Sequence, residues 1–251
     1  MTDRLRVIVN HALARAEPSP EAEAVSDVLF GERVTKLESG TGFVRIRNEY
    51  DGYEGWVREE ALGPDTAQGP LHRVRPRLAS AFDAPGGQAV IEDIGVGSPV
   101  YPQSERDGWV QDAGGLWFRA GDLVKVPYAG DPVEVALEFI GVPYVWGGRH
   151  GGGIDCSGLV QIGAMLAGRA CARDTKDQVN SYGTLIGGFD APDRKRGDVL
   201  YVPGHVAILT GPYEAVHADG KAGLVHVQDL ETIVRNRGHD LDAVTIRRPT
   251  V

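Results

Sequence analysis

Residues 151–160 read Gly151-Gly152-Gly153-Ile154-Asp155-Cys156-Ser157-Gly158-Leu159-Val160, and the C-terminal half of the chain is organised around them. The glycines let the backbone turn tightly and approach a ligand closely. From Cys156 onward, apolar residues recur at helical spacing as far as Leu166, and Gly168 follows as a typical helix stop. Asp155 occupies the N-cap position. The stretch therefore predicts a buried helix that begins at Cys156.

A cysteine at the start of a helix lies near the positive end of the helix dipole, which lowers the thiol pKa and favours the nucleophilic thiolate. A lone cysteine is more often only a small buried residue. Here Cys156 is accompanied downstream by His205 and His217, both in strand-like segments. A cysteine with spatially adjacent histidines is typical of thiol peptidases, so these three residues are the candidate catalytic group.

Composition argues against several classes of protein. The chain has 251 residues and a net charge of −9, from 26 basic and 35 acidic residues. Its one basic cluster, at residues 73–77, has no interleaved aromatic residues, so we expect no nucleic-acid partner. No stretch reaches the roughly 18 consecutive apolar residues of a membrane span. The N-terminal segment lacks the apolar core of a secretory signal peptide, and we therefore expect a cytoplasmic protein.

The two cysteines, Cys156 and Cys171, are too few for a disulfide scaffold, and no metal-ligand spacing joins them. A disulfide between them would consume the proposed nucleophile, so Cys171 is expected to be a free thiol. Zinc bound by Cys156, His205 and His217 is possible in ligand type, but no carboxylate motif of a zinc hydrolase accompanies them. We therefore expect neither a metal nor a cofactor. The sequence leaves the oligomeric state open.

The N-terminal quarter of the chain, residues 1–64, has the pattern of a small all-β barrel. A polar loop is predicted over residues 14–23, and turn residues separate short alternating segments. The predicted strands cover residues 7–9, 25–30, 34–37, 43–47 and 55–57.

Residues 70–125 repeat this pattern loosely, with Gly108-Trp109-Val110 echoing Gly42-Phe43-Val44. Such internal similarity predicts a second small barrel in tandem with the first. Trp56 and Trp117 occupy matching places in the two copies, and large aromatic side chains commonly fill a barrel core. Both tryptophans are therefore expected in the cores.

Residues 127–251 are predicted to form an α+β domain, with helices first and sheet second. Asp131-Pro132 fits an N-cap followed by proline at the first helical position, which predicts a helix that continues to Ile140 and ends at Gly141. The helix at Cys156 comes next. The strands predicted after it cover residues 199–202, 205–209, 214–217, 225–227 and 244–247.

The two candidate histidines lie on either side of Gly211-Pro212-Tyr213, which is typical of a hairpin turn. If these three residues form the loop, Thr210 pairs with Glu214, and His217 lies opposite Ala207. His205 and His217 then share one sheet face as diagonal neighbours, about 7–8 Å apart at the backbone. A shift of one residue in the register would place them on opposite faces.

Five motifs resemble the NlpC family of papain-like cysteine peptidases. They are Tyr144–Gly148, Asp155–Val160, Arg196–Val199, His205–Ile208 and Val216–Ala218. Near the N-terminus, Asp51–Val57 resembles a bacterial SH3-like domain. The combination resembles the cytoplasmic members that cut cell-wall peptides between γ-D-glutamate and a diamino acid. It implies SH3-like domains over 1–64 and 70–125 and an NlpC-type peptidase domain over 127–251.

The resemblance implies catalytic roles. Cys156 would attack the γ-D-glutamyl carbonyl, and His205 would take the thiol proton and later protonate the leaving amine. His217 would hold the ring of His205. The backbone N–H of Cys156, with Tyr144 nearby, would stabilise the oxyanion.

The resemblance also implies substrate-binding residues for a peptide with a free N-terminal L-alanine. Asp155 and Ser157 would grip the amine, and Tyr53 would close that end of the site. Residues 173–175 would line the acidic part of the substrate. The full candidate set is Tyr53, Tyr144, Trp146, Asp155, Ser157, Arg173, Asp174 and Thr175.

Two other functions stay open from the sequence. One is a non-catalytic protein that binds cell-wall material through the SH3-like pair, and the other is an acyltransferase on the same scaffold. The complete Cys156, His205 and His217 set favours the peptidase, because a binding protein needs none of them.

Overall fold

The computed structural model describes residues 4–65 and 67–249. The chain divides into two compact units, one made of residues 1–128 with 146–152 and the other of residues 129–145 with 153–251. Among the described residues, no helix is both long and apolar enough to cross a membrane.

The first β region of the N-terminal unit is an antiparallel sheet of seven strands, in the order β3-β2-β6-β5-β4-β1-β7. Its core is formed by buried aliphatic side chains such as Val34, Ile46 and Val57. The strands are β1 (Arg4–Val7), β2 (His11–Arg15), β3 (Ala24–Leu29), β4 (Arg33–Ser39), β5 (Phe43–Asn48), β6 (Glu54–Arg58) and β7 (Leu62–Pro64), with a 3-10 turn at Glu59–Ala61.

The polar loop predicted over residues 14–23 is shorter in the structure, because β2 extends to Arg15. The sequence His11-Ala12-Leu13-Ala14-Arg15 is half-buried with alternating exposure, and β2 pairs with β3 along its length. Alanines at the buried positions gave only a weak strand signal, since alanine is depleted in strands. The strand exists because its neighbour β3 supplies the hydrogen-bonding partner.

The second β region contains eight strands in two sheets, ordered β10-β9-β14-β13-β12 and β11-β8-β15. Phe118, Ile94 and Val100 lie in its core. The strands are β8 (His72–Val74), β9 (Leu78–Phe82), β10 (Ala89–Gly95), β11 (Pro99–Val100), β12 (Pro102–Arg106), β13 (Trp109–Asp112), β14 (Trp117–Arg119) and β15 (Leu123–Lys125), with a 3-10 turn at Ala120–Asp122. That this region is a second SH3-like barrel stays a prediction.

The two tryptophans predicted for the barrel cores are only half-buried. In β6 the core position belongs to Val57, which is 0% exposed, and in β14 it belongs to Phe118, also 0% exposed. Because successive strand residues point to opposite faces, the neighbouring Trp56 and Trp117 face away from those cores. The prediction assumed that the tryptophan, as the larger side chain, faces the core, and it therefore assigned the wrong face of each strand to the core.

A short segment that precedes the cysteine loop, residues 146–152, belongs to the N-terminal unit. It contains β16 (Arg149–His150). The Arg149 side chain is fully buried, and its guanidinium donates to Glu32 Oε2 at 2.6 Å and to the carbonyl of Asp27 at 2.8 Å. These charge-assisted hydrogen bonds attach the segment firmly to the first β region.

The C-terminal unit combines four helices with a six-stranded antiparallel sheet, ordered β18-β23-β19-β20-β21-β22. The helices are α1 (Pro132–Leu137), α2 (Cys156–Leu166), α3 (Thr175–Ser181) and α4 (Leu230–Asn236), with a 3-10 turn at Leu241–Ala243. The strands are β17 (Gly153–Ile154), β18 (Thr184–Gly187), β19 (Val199–Val202), β20 (His205–Leu209), β21 (Glu214–Asp219), β22 (Leu224–Asp229) and β23 (Thr245–Arg248).

The predicted order of helices first and sheet second is found, with several differences. Helix α1 ends at Leu137 rather than Ile140, and the chain continues in 3-10-like bonds such as Phe139 N–H to Ala136 O at 3.1 Å. Strands β17 and β18 and helices α3 and α4 were not predicted. Helix α4 is only seven residues long, so its periodicity is short, although Asp229 at its N-cap accepts from Thr232 N–H and was a readable start signal.

Candidate active site

Helix α2 begins at Cys156, as predicted. Asp155 has extended backbone angles, and its Oδ1 accepts a hydrogen bond from Gly158 N–H at 2.7 Å, which is the N-cap interaction. Every residue of α2 is buried. The cysteine is therefore held at the first turn of a rigid, enclosed helix.

The Cys156 thiol lies between α3 and strand β20. Its sulfur is 3.9 Å from Thr175 Oγ1, and the backbone N–H of Val206 is a hydrogen-bond donor to it. Val206 directly follows His205 in β20. Packing of α2 against this strand thus brings the candidate nucleophile next to the residue that follows the candidate base.

The thiol pKa is raised above its ordinary value, and the prediction that it would be lowered is wrong. Burial is the largest cause, and the adjacent Asp155 carboxylate acts in the same direction. Hydrogen bonds from Thr175 and Val206 oppose the rise without reversing it. The thiol pKa is determined mainly by burial, because removal of the thiolate from water costs more free energy than the first turn of the helix contributes.

The hairpin of β20 and β21 has the predicted register. Thr210 N–H donates to Glu214 O at 2.9 Å, and Ile208 pairs with Val216. His205 and His217 consequently lie on one face as diagonal neighbours. His205 Nε2 is 2.9 Å from His217 Nδ1, and the ring planes make an angle of 77°.

Both imidazoles are buried, each residue being 1% exposed. Burial lowers the pKa of His205 well below its ordinary value, and nearby Arg237 and His217 lower it further. Burial and neighbouring His226 lower the pKa of His217 to about 4. Both rings are therefore neutral near pH 7, and the hydrogen bond between them carries one proton.

Gln228 on β22 is a neighbour of His217 that the sequence reading missed. It pairs across the ladder with Ala215, two residues from His217 on the same face. Its carboxamide acts as a hydrogen-bond partner that raises the pKa of His217. Gln228 Oε1 and His217 Nε2 are both buried, and neither makes a well-aligned hydrogen bond with any residue in 4–65 or 67–249.

Tyr144 lies in the C-terminal unit, in the stretch that connects α1 to the cysteine loop. Its backbone N–H donates to Gly223 O at 2.9 Å. Burial raises the pKa of its phenol to about 12, and the nearby charges of Cys156 and Asp155 contribute. The hydroxyl therefore stays protonated and can donate a hydrogen bond near the sulfur.

Asp155 and Arg173, both predicted to face substrate, pair with each other. Arg173 Nη2 is 2.6 Å from Asp155 Oδ2, and Nη1 is 3.1 Å from Oδ1. Arg173 Nη1 also donates to Ser157 Oγ at 2.8 Å. All three residues are buried. Asp155 thus already serves as N-cap and ion-pair partner, and a role towards substrate would have to share its oxygens.

Asp174 is more available than Asp155. It precedes α3 as its N-cap, but its carboxylate makes no capping hydrogen bond. The side chain is 33% exposed and lies 3.4 Å from Lys176 Nζ. Thr175, the first residue of α3, contributes the hydroxyl near the Cys156 sulfur.

Tyr53 and Trp146 belong to the N-terminal unit, unlike the catalytic candidates. Tyr53 is half-buried before β6, and its N–H donates to Asp51 Oδ1 at 3.0 Å. Trp146 is 63% exposed. Their assignment to substrate binding stays a prediction.

A second missed feature is the pair of Arg237, just after α4, and Asp219, the last residue of β21. Arg237 Nη2 is 3.0 Å from Asp219 Oδ1. The positive charge of Arg237 lowers the pKa of both His205 and Cys156. The prediction overlooked this cation because it overlooked helix α4.

Known families match two parts of the chain. Residues 14–62 match the bacterial dipeptidyl-peptidase SH3 domain, and residues 141–237 match the NlpC/P60 family. The chain carries an NlpC/P60 domain. That domain contains Cys156, His205 and His217, and its family supports a peptidase. The SH3 match covers the first β region only.

Two relatives extend over most of the chain. Dipeptidyl-peptidase 6 of Lysinibacillus sphaericus is 28% identical over 254 residues, covering 90% of this chain and 91% of that protein. Gamma-D-glutamyl-L-lysine dipeptidyl-peptidase of Bacillus subtilis is 27% identical over 232 residues, covering 83% and 77%. The chain is thus homologous, over most of its length, to bacterial proteins named as dipeptidyl-peptidases.

A solved structure shows the same fold. The crystal structure of an NlpC/P60 family protein from Bacillus cereus matches with a TM-score of 0.82 at 18% sequence identity, covering 98% of this chain and 99% of that one. The NlpC/P60 domain therefore has the papain-like architecture that the motifs predicted.

Proposed function

We infer that the chain is a cysteine peptidase that hydrolyses the bond between γ-D-glutamate and a diamino acid in peptidoglycan-derived peptides. The observation that carries this proposal is the buried His205–His217 pair, in which His205 Nε2 lies 2.9 Å from His217 Nδ1. Val206, the residue after His205 in β20, donates its backbone N–H to the Cys156 sulfur. The choice of bond is supported by the relative named for γ-D-glutamyl-L-lysine.

The first step transfers the thiol proton as the sulfur attacks. Burial raises the pKa of Cys156 and lowers that of His205, so both groups rest uncharged. Since His205 Nε2 is engaged with His217, Nδ1 is the nitrogen left to accept this proton. Attack on the γ-carbonyl forms a C–S bond, and the imidazolium protonates the leaving amine as the C–N bond breaks. Water then hydrolyses the thioester, which releases the γ-carboxylic acid and restores the Cys156 thiol.

Orientation of the base follows from the hydrogen bonds behind it. For His205 Nδ1 to be free of a proton, its proton must lie on Nε2, which then donates to His217 Nδ1. His217 in turn keeps its proton on Nε2, on the side of Gln228. One tautomer of each ring therefore satisfies the whole series of hydrogen bonds, and in that tautomer His205 Nδ1 is free to accept the thiol proton.

The oxyanion that forms on the γ-carbonyl needs donors that are already in position. The N–H of Cys156 is one of the first-turn groups of α2 that lack an intrahelical acceptor. The Tyr144 hydroxyl, kept protonated by burial, is the second proposed donor. Fixed donors of this kind stabilise developing charge at small reorganisation cost.

We assign the substrate's N-terminal ammonium to the acidic side chains around the start of α2 and α3. Asp174 offers the more available carboxylate, whereas Asp155 and Ser157 are already bonded to Arg173. An ammonium held there forms a charge-assisted hydrogen bond contributing roughly 1.5–3 kcal/mol. Free wall fragments with L-alanine at the N-terminus are then the preferred substrates, consistent with a role in recycling inside the cell.

The test is turnover of L-Ala-γ-D-Glu-L-Lys and its diaminopimelate analogue, with the released diamino acid measured by mass spectrometry. Cys156→Ala should abolish release, whereas Cys171→Ala, a matched removal of the other buried thiol, should retain it. N-acetylation of the peptide should lower kcat/KM by about tenfold or more, because it removes the ammonium charge.

Substantial release by Cys156→Ala would refute the thiol mechanism. Equal rates on the free and acetylated peptides would refute recognition of the ammonium while leaving the peptidase intact. Tight peptide binding without any release would favour a binding protein.

A further inference from the structure

We propose that His217, Asp219 and His226 form an inhibitory zinc site behind the candidate catalytic pair. His217 and His226 are directly paired across β21 and β22, and Asp219 follows His217 on the same face. One ligand atom from each of the three residues lies within 4.8 Å of the other two. Two imidazoles and a carboxylate are a preferred ligand set for Zn²⁺, with a fourth position left for water.

The spacing of two of these atoms suits a metal better than a hydrogen bond. His226 Nε2 is 3.4 Å from Asp219 Oδ2, longer than an ordinary N–H···O hydrogen bond. Two ligands on a tetrahedral zinc, each bonded at about 2.0–2.1 Å, are separated by about 3.4 Å. An ion placed between these two atoms needs little movement of either.

The third ligand atom has its own reason to bind. His217 Nδ1 is engaged by His205, so Nε2 is the atom that His217 can offer. This Nε2 is buried, and no well-aligned partner for it exists in the described part of the chain, although Gln228 lies nearby. A buried nitrogen with an imperfect partner loses little when an ion replaces that partner.

Asp219 is held in place by its other oxygen. Oδ1 accepts from Lys221 N–H at 3.0 Å and from Arg237 Nη2 at 3.0 Å, which leaves Oδ2 to the ion. Such outer hydrogen bonds orient a ligating carboxylate. The positive charge of Arg237 opposes a second cation, so we expect micromolar affinity rather than the tighter binding of a structural zinc site.

Zinc at this position would stop catalysis without touching Cys156. With the ion on His217 Nε2, the His217 proton must move to Nδ1 and point at His205 Nε2. The His205 proton then moves to its Nδ1, the nitrogen that has to accept from the thiol. Each proton moves to the other nitrogen of its own ring and none is released. His205 Nδ1 then carries a proton and can no longer accept one from the thiol. This effect on activity rests on the proposed function, whereas binding of the ion does not.

Zinc chloride titrated into the wild-type peptidase assay should give complete, EDTA-reversible inhibition. His226→Asn, at a residue outside the proposed catalytic group, should keep uninhibited activity within about threefold and need at least ten times more zinc for half-inhibition. His239→Asn is the matched control, because His239 is not one of the three proposed ligands and its Nε2 lies 3.2 Å from the carbonyl oxygen of Pro203. It should be inhibited like the wild type.

Binding is measured separately by calorimetry with zinc chloride on full-length Cys156→Ala. One ion per chain is expected, with affinity at least tenfold weaker in Cys156→Ala/His226→Asn. Equal inhibition of wild type and His226→Asn, or no binding to Cys156→Ala, would place the ion on the thiol and overturn the proposal. A chain that binds zinc through His226 but never cleaves peptide would instead count against the proposed function.

Discussion

The two units of the molecule each bury a polar cluster, and the clusters differ in charge. In the N-terminal unit, the fully buried Arg149 lies 2.6 Å from Glu32 and 3.4 Å from Asp51. Positive and negative groups there compensate each other. In the C-terminal unit, His205 and His217 bond to each other, and no carboxylate in residues 4–65 or 67–249 hydrogen-bonds to either ring.

The difference separates a structural cluster from a reactive one. Ions taken out of water must be paired, and in this cluster burial raises the pKa of Glu32 while the charge of Arg149 opposes that rise. An unpaired buried imidazole instead loses its charge, which is why the pKa values of His205 and His217 are lowered. A neutral imidazole near a neutral thiol is able to accept its proton, which is the role that the proposed function gives to His205.

The largest expected effect is in the reactive cluster. His205→Ala should lower kcat by about 10²–10⁴-fold, because the proposed general base is gone. His217→Ala should retain more activity, since Cys156 and His205 remain. Steady-state kinetics with urea unfolding measure both. Equal losses in the two variants would contradict the separate roles of base and orienting residue.

The corresponding change in the paired cluster is Arg149→Met. It leaves Glu32 buried without its cation and should lower the free energy of unfolding by about 3–5 kcal/mol. Adding Glu32→Gln should restore part of this loss, because the uncompensated carboxylate is removed. Urea titrations of both variants provide the measurement. A single variant as stable as the wild type would mean that the ion pair is not what stabilises this region.

The next largest effect is expected when the pH is lowered, which should reduce the stability contributed by the histidine cluster. The pKa of His217 is about 4 in the folded chain and about 6.5 when unfolded, so the unfolded chain takes up the proton first as pH falls. Stability should be constant above about pH 6.5 and decline between 6.5 and 4. His217→Gln should reduce the decline measured by urea unfolding at pH 7 and pH 5. An unchanged decline would assign the effect to other groups.

The smallest expected effect concerns Gln228. Gln228→Leu should lower kcat by about 2- to 10-fold with KM unchanged, since one neutral hydrogen bond contributes about 0.5–1.5 kcal/mol. Gln228→Glu should retain activity but move the acid limb of the pH–rate profile upward, because a carboxylate favours protonated His217. Identical pH profiles for wild type and Gln228→Glu would show that Gln228 has no part in orienting the ring.

Much of the fold could be predicted because its signals are local. Asp155 before a helical apolar pattern indicated where α2 begins, and Gly211-Pro212-Tyr213 fixed the hairpin register that places His205 beside His217. Strand β2 was not predicted because its buried positions are alanines, and helix α4 was not predicted because its apolar pattern is short. The half-buried Trp56 and Trp117 show that residue size does not reveal which face of a strand is the core.

The sequence by itself determined the nucleophile's helix, the histidine hairpin and the resemblance to NlpC peptidases, since each depends on residues close together in the chain. Only the tertiary structure decided the raised pKa of Cys156, the pairing of Arg173 with Asp155 and the meeting of Gln228 and His226 with His217. These depend on what encloses a group and on which strand lies beside another. Enclosure and long-range pairing are products of packing, and a pattern of neighbouring residues does not contain them.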